Sequence, residues 1–236
     1  FPRDPPHVPG LDFAGACRPA RSIGGDYYDA MALGDGRLAV AVGDVAGKGV
    51  GAALLMAGLQ AALRSLLAPD ADLADVVAAV NRLVTAASAP GKFATLFVGV
   101  ADPRAGTLTY VNAGHNPPLL RRADGTLEAL MPTGMAIALL ARATYETAVT
   151  QLRSGDLLLV FTAGVTEAMD AAGALYGDER LSALLASATA GDAASVRDLV
   201  LADVEAFAAD AARSDDVTVA VVRCVEAAAA AVAHPR

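Results

Sequence analysis

Apolar residues in the first part of the chain form two short runs followed by two longer stretches. Residues 11–19 and 37–45 alternate or run apolar, with a Gly-Asp-Gly turn between them, which predicts two strands of a hairpin-like meander. Residues 50–67 and 71–87 are rich in Ala and Leu and contain no proline, so both stretches are predicted to be helices. Two strands are therefore expected to precede a pair of helices.

The pattern then changes to short β-branched runs separated by turns rich in Asp, Gly, Pro and Asn, which is typical of antiparallel strands. These runs are 95–100, 107–112, 118–121, 126–130, 144–151 and 156–162. Two predicted helices, 181–188 and 195–212, and a last strand, 217–224, follow. Because strands come in blocks and helices in pairs, the pattern predicts an α+β layered fold with antiparallel sheets, not a doubly wound parallel sheet.

Composition and charge exclude several classes of protein. The 236 residues are 55% hydrophobic and 19% charged, and 18 basic against 26 acidic side chains give a net charge of −8. A disordered chain or a basic nucleic-acid binder would show a different balance. The mean hydropathy of +0.44 is high, but no stretch of spanning length lacks charged or turn residues, so no membrane span is expected. The poorly charged, alanine-rich surface favours a homodimer or a contact with a neighbouring domain.

The two ends of the chain are expected to lie outside one large domain. Residues 1–10 contain four prolines and predict a linker from an upstream sensory or regulatory domain. Residues 11–225 form the predicted domain, and 226–236, mostly alanine, a frayed helical tail. The start shows no signal peptide, and Cys17 and Cys224 lack the spacing of a zinc or redox pair, so a cytoplasmic protein with unpaired core cysteines is expected.

Acidic side chains stand at three predicted strand edges. Asp26 follows two glycines, Asp44 ends an apolar strand, and the adjacent pair Asp215 and Asp216 precedes the last strand. Each position alone is explained by a solvated turn or a strand-end cap. Neighbouring carboxylates repel one another, however, unless a cation or hydrogen bonds compensate. Because these are hard oxygen ligands without clustered Cys or His, the cation they favour is Mg²⁺ or Mn²⁺ rather than Zn²⁺.

A glycine-rich segment, Gly47-Lys48-Gly49, connects the Asp44 strand to the first helix. Its spacing, and the residue after the lysine, differ from those of a P-loop. It fits a loose dinucleotide-binding pattern, but a second helix follows instead of a parallel strand. The remaining interpretation is that these three residues let the helix N-terminus approach Asp44 and bind an anion such as the phosphate of a substrate. His115, in a Gly-His-Asn-Pro-Pro turn, is expected to shape that turn rather than to act as a base or ligand.

Five segments, in this order along the chain, resemble the motifs of the SpoIIE/RsbU-type serine phosphatases, the bacterial branch of the metal-dependent PPM (PP2C-like) family. They are 19–29 (PARSIGGDYYD), 43–49 (GDVAGKG), 113–118 (AGHNPP), 161–168 (FTAGVTEA) and 215–218 (DDVT). The resemblance spans nearly the whole chain. It implies an α-β-β-α sandwich in which two antiparallel sheets lie between helix pairs. It also implies hydrolysis of phosphoserine or phosphothreonine by a water activated between two Mn²⁺ or Mg²⁺ ions.

The resemblance implies a role for each acidic position. Asp44 would bridge both ions, and the carbonyl oxygen of Val45 would be a further ligand. Asp26 would serve the second ion directly or through water, and Asp215 would serve the first. Asp216 would support its neighbour or act as an additional ligand.

Position 163 departs from the family motif. The family has Thr-Asp-Gly where this chain has Thr162-Ala163-Gly164, so a carboxylate expected on the ion shared by Asp44 and Asp215 is absent. The departure predicts incomplete metal loading and strongly reduced turnover in a fold that is retained. Two explanations are open: a deliberate inactivating substitution, which the otherwise intact motifs favour, and a natural pseudophosphatase.

Three functions follow as hypotheses. The first is a phosphatase acting on a regulatory phosphoprotein, which by resemblance would be a STAS-type anti-sigma-factor antagonist in a partner-switching stress or developmental pathway. The second is a catalytically silent module that binds the same phosphoprotein. The third is a dinucleotide-binding domain, which failure to bind NAD would exclude.

Overall fold

Ten strands and five helices make up the part of the chain that the computed structural model describes, which is residues 5–20, 23–89, 91–188, 191–209, 211 and 213–226. The strands are β1 (Leu11–Arg18), β2 (Asp26–Ala32), β3 (Leu38–Val45), β4 (Ala94–Asp102), β5 (Thr107–Ala113), β6 (Leu119–Arg121), β7 (Leu127–Ala129), β8 (Ala148–Gln151), β9 (Leu157–Phe161) and β10 (Val217–Cys224). The helices are α1 (Val50–Leu66), α2 (Leu73–Ala87), α3 (Ala163–Thr166), α4 (Asp178–Ser187) and α5 (Ala193–Ala208).

The strands form two five-stranded antiparallel sheets. Sheet 1 has the order β1-β10-β9-β6-β7, and sheet 2 has the order β2-β3-β4-β5-β8. Phe97 and Val42 of sheet 2 pack against Val160 and Ala220 of sheet 1 in a buried core between the sheets. The predicted α+β fold with antiparallel sheets is therefore confirmed.

The outer face of each sheet is covered by a pair of helices. Leu59 of α1 and Val77 of α2 pack with Leu96 on sheet 2, while Leu181 of α4 and Val200 of α5 pack in the cluster on sheet 1. Both faces of each central strand are thus buried, which explains the nearly continuous apolar runs of β3 and β10. The order of layers is helix pair, sheet, sheet, helix pair.

The predicted hairpin between residues 11–19 and 37–45 is wrong. These segments are β1 and β3, which lie in different sheets, and β2, treated as a turn from the sequence, pairs with β3 instead. The polar residues of β2 made this segment resemble a turn in the sequence. In the structure Asp29 is fully buried, because it forms a bidentate pair with Arg64 on α1. Two N–H···O contacts of 2.6 Å join these side chains.

Several element boundaries also differ from the sequence predictions. α4 begins at Asp178, three residues early, and α5 ends at Ala208 rather than at 212. β8 begins at Ala148 instead of 144, since Tyr145 makes an isolated bridge with Gly134. The short helix α3 has no counterpart in the pattern of the sequence.

The ends of the described chain pack onto the sandwich. Val8 is buried and its carbonyl accepts a hydrogen bond from the Leu11 amide, so packing begins within the predicted linker. Residues 1–4 of that linker and 227–236 of the predicted tail lie outside the described residues. Cys17 and Cys224 are free cysteines. No helix among the described residues is long and apolar enough to cross a membrane.

Candidate functional site

The alternation of side chains along β3 carries Asp44 into the space between the sheets. Leu38, Val40 and Val42 belong to the inter-sheet core, and Asp44 continues the same alternation at the end of the strand. Asp26, the first residue of β2, is its direct partner across the strand pair. The two carboxylates therefore stand side by side at one open end of the sandwich.

A hydrogen bond from the end of β9, a strand of sheet 1, fixes the Asp26 carboxylate. The Thr162 hydroxyl, just after β9, donates a hydrogen bond of 2.7 Å to Asp26 Oδ2. The backbone N–H of Thr218 on β10 in turn donates to Thr162 Oγ1 at 3.1 Å. Thr162 was not singled out from the sequence, although a polar residue that ends an apolar strand on its inward face is a usable signal.

Asp216 anchors the segment that leads into β2. Its carboxylate accepts hydrogen bonds from the backbone N–H groups of Ala20 and Gly25, at 2.8 and 2.7 Å, and a longer one from Asp26. Only glycine fits at Gly24, because a Cβ there would collide with the Asp216 carboxylate. Backbone amides thus compensate the buried charge of Asp216, which gives it a supporting position.

Asp215 faces a different environment from its neighbour. It is half-exposed, and its Oδ1 lies 3.4 Å from the Lys48 ammonium, which also donates to the Ser214 carbonyl. An ion pair this exposed contributes little to folding stability. Its effect is to bring the predicted segment Gly47-Lys48-Gly49 beside Asp215 at the mouth of the site.

The surroundings of the acidic pair disfavour the charged form of both carboxyls. Burial raises the pKa of Asp26 to about 8, and the charge of Asp44 adds to the effect. Burial also raises the pKa of Asp44 to about 6, together with the charges of Asp215 and Asp216, while Lys48 opposes the shift. A bound cation would relieve this repulsion.

The donors fit a hard divalent cation in chemistry but not in number. Asp26 and Asp44 are oxygen donors of the kind that Mg²⁺ and Mn²⁺ prefer, and Val45 lies buried beside them at the end of β3. Among the described residues, however, no three His, Cys, Asp or Glu side chains are grouped so as to hold an ion. Ala163, half-exposed as the first residue of α3, has no ligand atom in its side chain.

His115 is fixed in the turn after β5, as its sequence context predicts. Its backbone N–H donates to Asn112 Oδ1 at 2.8 Å, and its ring is only 1% exposed. Nδ1 lies 2.8 Å from Oγ1 of Thr95, a polar residue that the sequence reading missed. Burial lowers the pKa of His115 to about 4, against an opposing effect of the Phe161 backbone, so the ring is neutral at physiological pH.

Replacing Asp26 with asparagine should stabilise the metal-free protein at high pH. The folded state binds the Asp26 proton more tightly than the unfolded chain, so the carboxyl favours folding at low pH and opposes it as the pH rises towards 8. At pH 8.5 the unfolding free energy of Asp26→Asn should exceed that of the parent by roughly 5 to 6 kcal/mol, since burial raises the pKa from 3.8 to about 8 and one pKa unit is worth about 1.4 kcal/mol. At pH 4 the difference should nearly vanish.

Urea unfolding in EDTA at the two pH values measures this difference. Glu179→Gln, on the exposed first turn of α4, is the matched control and should change stability by less than about 0.5 kcal/mol. A loss of stability in Asp26→Asn at pH 8.5 would show that the Asp26 charge is compensated in the metal-free protein.

Comparison with known proteins gives a consistent set of matches. The family model described as Stage II sporulation protein E (SpoIIE) matches residues 34–225. Protein IcfG of Synechocystis sp. is 30% identical over 86% of this chain and 36% of its own length. Phosphoserine phosphatase RsbU of Bacillus subtilis is 29% identical over 69% of this chain and 48% of its own. The chain therefore spans between a third and a half of the length of these curated relatives.

Solved structures match the fold over most of the chain. The structure of the RsbU and RsbW domains of Rv1364c from Mycobacterium tuberculosis has a TM-score of 0.78 and 32% identity, covering 94% of this chain and 63% of that one. The catalytic domain of the serine/threonine phosphatase PstP, solved with two manganese ions, has a TM-score of 0.66 at 19% identity, covering 92% and 100%. The second match supports the fold alone.

Proposed function

The chain belongs to the SpoIIE/RsbU-type branch of the PPM (PP2C-like) phosphatases, and on this premise we propose that it removes phosphate from serine or threonine of a regulatory protein. The observation that carries the proposal is the paired carboxylates of Asp26 and Asp44, side by side on adjacent strands. Burial and repulsion raise the pKa of both carboxyls, and Asp215, just before β10, adds to the repulsion at Asp44. A phosphatase of this family needs such an acidic pocket for divalent cations.

The proposed cofactors are two Mn²⁺ or Mg²⁺ ions. The carboxylates of Asp44, Asp26 and Asp215 and the carbonyl oxygen of Val45 would hold them, and Asp44 would serve both ions. When bound, such cations lower the pKa of water and stabilise negative charge on phosphoryl oxygens. The manganese ions in the PstP structure support this choice of metal.

The remaining residues of the site would orient these groups. Thr162 holds the Asp26 carboxylate in place by its hydrogen bond, and Asp216 fixes the segment before β2. Lys48, which reaches Asp215 at the mouth of the site, is placed to attract the phosphate of a substrate together with the N-terminus of α1. The N-cap of α1, Gly49, makes no side-chain capping bond, which leaves the first amides of the helix open to an anion.

We further propose that Ala163 impairs this activity. The family ligand at this position would add a carboxylate beside Asp44 and Asp215, and alanine cannot replace it. The grouping of only two adjacent strand carboxylates, Asp26 and Asp44, agrees with incomplete metal loading.

The proposed substrate is a phosphorylated STAS-type anti-sigma-factor antagonist. The names of the relatives support this choice, since one is a phosphoserine phosphatase and one structure contains RsbU and RsbW domains together. The proposal places the reaction in the cytoplasm, within a partner-switching pathway. A domain upstream of residues 1–10 would then regulate the phosphatase.

Phosphate release from a phosphoserine-containing STAS protein tests the proposed function. We expect slow release that depends on Mn²⁺ and that EDTA abolishes. Inorganic phosphate can be measured with a coupled assay at increasing Mn²⁺, with the unphosphorylated STAS protein as the blank. Absence of release from both this chain and its Ala163→Asp variant would contradict the assignment as a phosphatase.

A binding module without activity is the second candidate, and Ala163 is the observation that favours it. In that case the phosphorylated STAS protein should bind with micromolar affinity without losing phosphate, even at millimolar Mn²⁺. Calorimetry with the phosphorylated and unphosphorylated proteins separates this candidate from the enzyme.

A further inference from the structure

We propose that His115 is a positioning residue. By accepting a hydrogen bond from the Thr95 hydroxyl, it keeps the Asp44 carboxylate free for a divalent cation. The inference rests on the proposed function, since it takes Asp44 as the central ligand. It goes further because it gives a role to a buried side chain that makes no contact with substrate or cation. Three features of the structure carry it.

The first feature is the rigidity of His115. Its backbone N–H is tied to Asn112 Oδ1, and the Asn112 amide donates to the Leu130 carbonyl at 3.0 Å. Asn112 is fully buried and the His115 ring is 1% exposed. The ring therefore meets Thr95 in one fixed orientation, with Nδ1 at 2.8 Å from Oγ1.

The second feature is the position of Thr95 beside Asp44. The two residues are direct partners in the β3–β4 register, so their side chains lie on the same face of sheet 2. Cβ atoms of directly opposed residues are about 5 Å apart in an antiparallel pair. The Thr95 hydroxyl is thus a donor directly across the strand pair from the Asp44 carboxylate, and it has a single proton to donate.

The third point is the direction of the His115–Thr95 hydrogen bond, which depends on the tautomer of His115. With Nδ1 facing Thr95, Nε2 is the nitrogen left for the Phe161 backbone on sheet 1. That backbone raises the ring pKa, which is the effect of a carbonyl on a ring N–H. Nε2 has no hydrogen-bond partner among the described residues, so the proposal takes the Phe161 carbonyl to act on the ring N–H through its charge alone. A neutral ring protonated on Nε2 makes Nδ1 an acceptor, so Thr95 donates to His115.

The consequence appears at Asp44. Its carboxylate accepts no hydrogen bond from any described residue, whereas Asp26 accepts one from Thr162 and Asp216 accepts several from backbone amides. Without the histidine, the Thr95 hydroxyl could rotate about χ1 and donate to Asp44. A cation would then have to displace that hydrogen bond before it could bind.

Mn²⁺ titration of the metal-free protein by calorimetry tests the proposal. His115→Phe, which fills a similar volume but cannot accept a hydrogen bond, should weaken Mn²⁺ affinity about tenfold. Thr95→Val, which removes the competing hydroxyl, should leave the affinity unchanged. In the Thr95→Val background, His115→Phe should have no further effect. In the chain that keeps Thr95, His115→Gln, which keeps an acceptor, should bind Mn²⁺ more tightly than His115→Phe.

An equal loss with and without the Thr95 hydroxyl would reduce His115 to a structural role and overturn the proposal. A tenfold loss of Mn²⁺ affinity in Thr95→Val alone would also overturn the proposal. This variant tests the proposal even if His115→Phe fails to fold. Mn²⁺ binding by the parent with no response to any of these substitutions would sink the inference and leave the proposed function standing. No Mn²⁺ binding by either the parent or Ala163→Asp would sink both.

The tautomer of His115 gives a test that needs no metal. Long-range ¹⁵N–¹H NMR of the protein in EDTA should show a neutral ring with the proton on Nε2 and a bare Nδ1. The chain has 3 histidines, so the spectrum of His115→Gln identifies the signal. A proton on Nδ1 would mean that His115 donates to Thr95, and the proposal would be wrong.

Discussion

Replacing Ala163 with aspartate should raise Mn²⁺-dependent phosphate release about 100-fold, because restoring one ligand to a metal site is worth several kcal/mol in the transition state. Position 163 is suited to this change. Ala163 is only half-buried and already carries a Cβ, so aspartate adds few atoms at a partly accessible position. It directly follows Thr162, whose hydroxyl holds Asp26.

The backbone around position 163 is held rigidly, which favours a well-placed ligand. A Cβ at Gly164 would collide with the backbone carbonyl of Asp216, so α3 is packed closely against the segment that carries Asp215. A side chain at 163 therefore has a defined starting direction relative to both acidic residues. Preorganised ligands bind a cation without the entropic cost of ordering a loop.

Stability measurements give the same prediction a second readout. A further carboxylate beside Asp44 and Asp215 adds repulsion, so the melting temperature of Ala163→Asp in EDTA should fall below that of the parent. Mn²⁺ should then raise it by more than it raises the parent's.

Ala163→Asn is the matched control, because it has nearly the same size and no charge. We expect it to release phosphate at less than about a tenth of the rate of Ala163→Asp, since a neutral amide is a weaker ligand than a carboxylate. Equal rates for the parent and Ala163→Asp, with both folded, would show that this position does not limit activity.

The position of Asp44 could be predicted from the sequence because it depends on local pattern. Alternation along a strand assigns each side chain to a face, and an acid that ends an apolar strand lies at the sheet's edge. The helix predicted from residue 50 begins at Val50, so the glycine-rich segment before it was also placed correctly. These features need only a few neighbouring residues.

The location of Asp26 could not be predicted in the same way. β2 carries Asp29 at a position that is fully buried, and the compensating Arg64 comes from α1, 35 residues later. A buried carboxylate looks like a turn or surface residue until its partner is known. The strand was missed for that reason, and with it the pairing of Asp26 with Asp44.

The convergence of the two sheets is the least predictable part of the site. Asp216 binds the Gly25 amide across 191 positions of the chain, and Thr162 reaches Asp26 across 136. No local pattern encodes such contacts. The resemblance to a known family supplied the expectation that Asp26, Asp44 and Asp215 meet, and the different partners of Asp215 and Asp216 became visible only in the structure.

Replacing Asp44 with asparagine in the Ala163→Asp background should abolish phosphate release, with a loss of at least about 1,000-fold. Asp44 is the strand partner of Asp26, and among the neighbouring charges that of Asp215 has the largest effect on its pKa. Mn²⁺ affinity, measured by calorimetry, should fall with the activity, because the amide removes the charge that both proposed ions would share.

The same substitution should leave the fold intact, which distinguishes loss of a ligand from loss of structure. The Asp44 carboxylate accepts no hydrogen bond from the described residues, and its charge is unfavourable in the metal-free protein. Asp44→Asn should therefore unfold in EDTA at the same or a higher temperature than its parent, while Glu179→Gln should retain both activity and Mn²⁺ affinity. Retained phosphate release in the folded Asp44→Asn variant would mean that Asp44 is not the central ligand, and the site would have to be assigned around Asp215 instead.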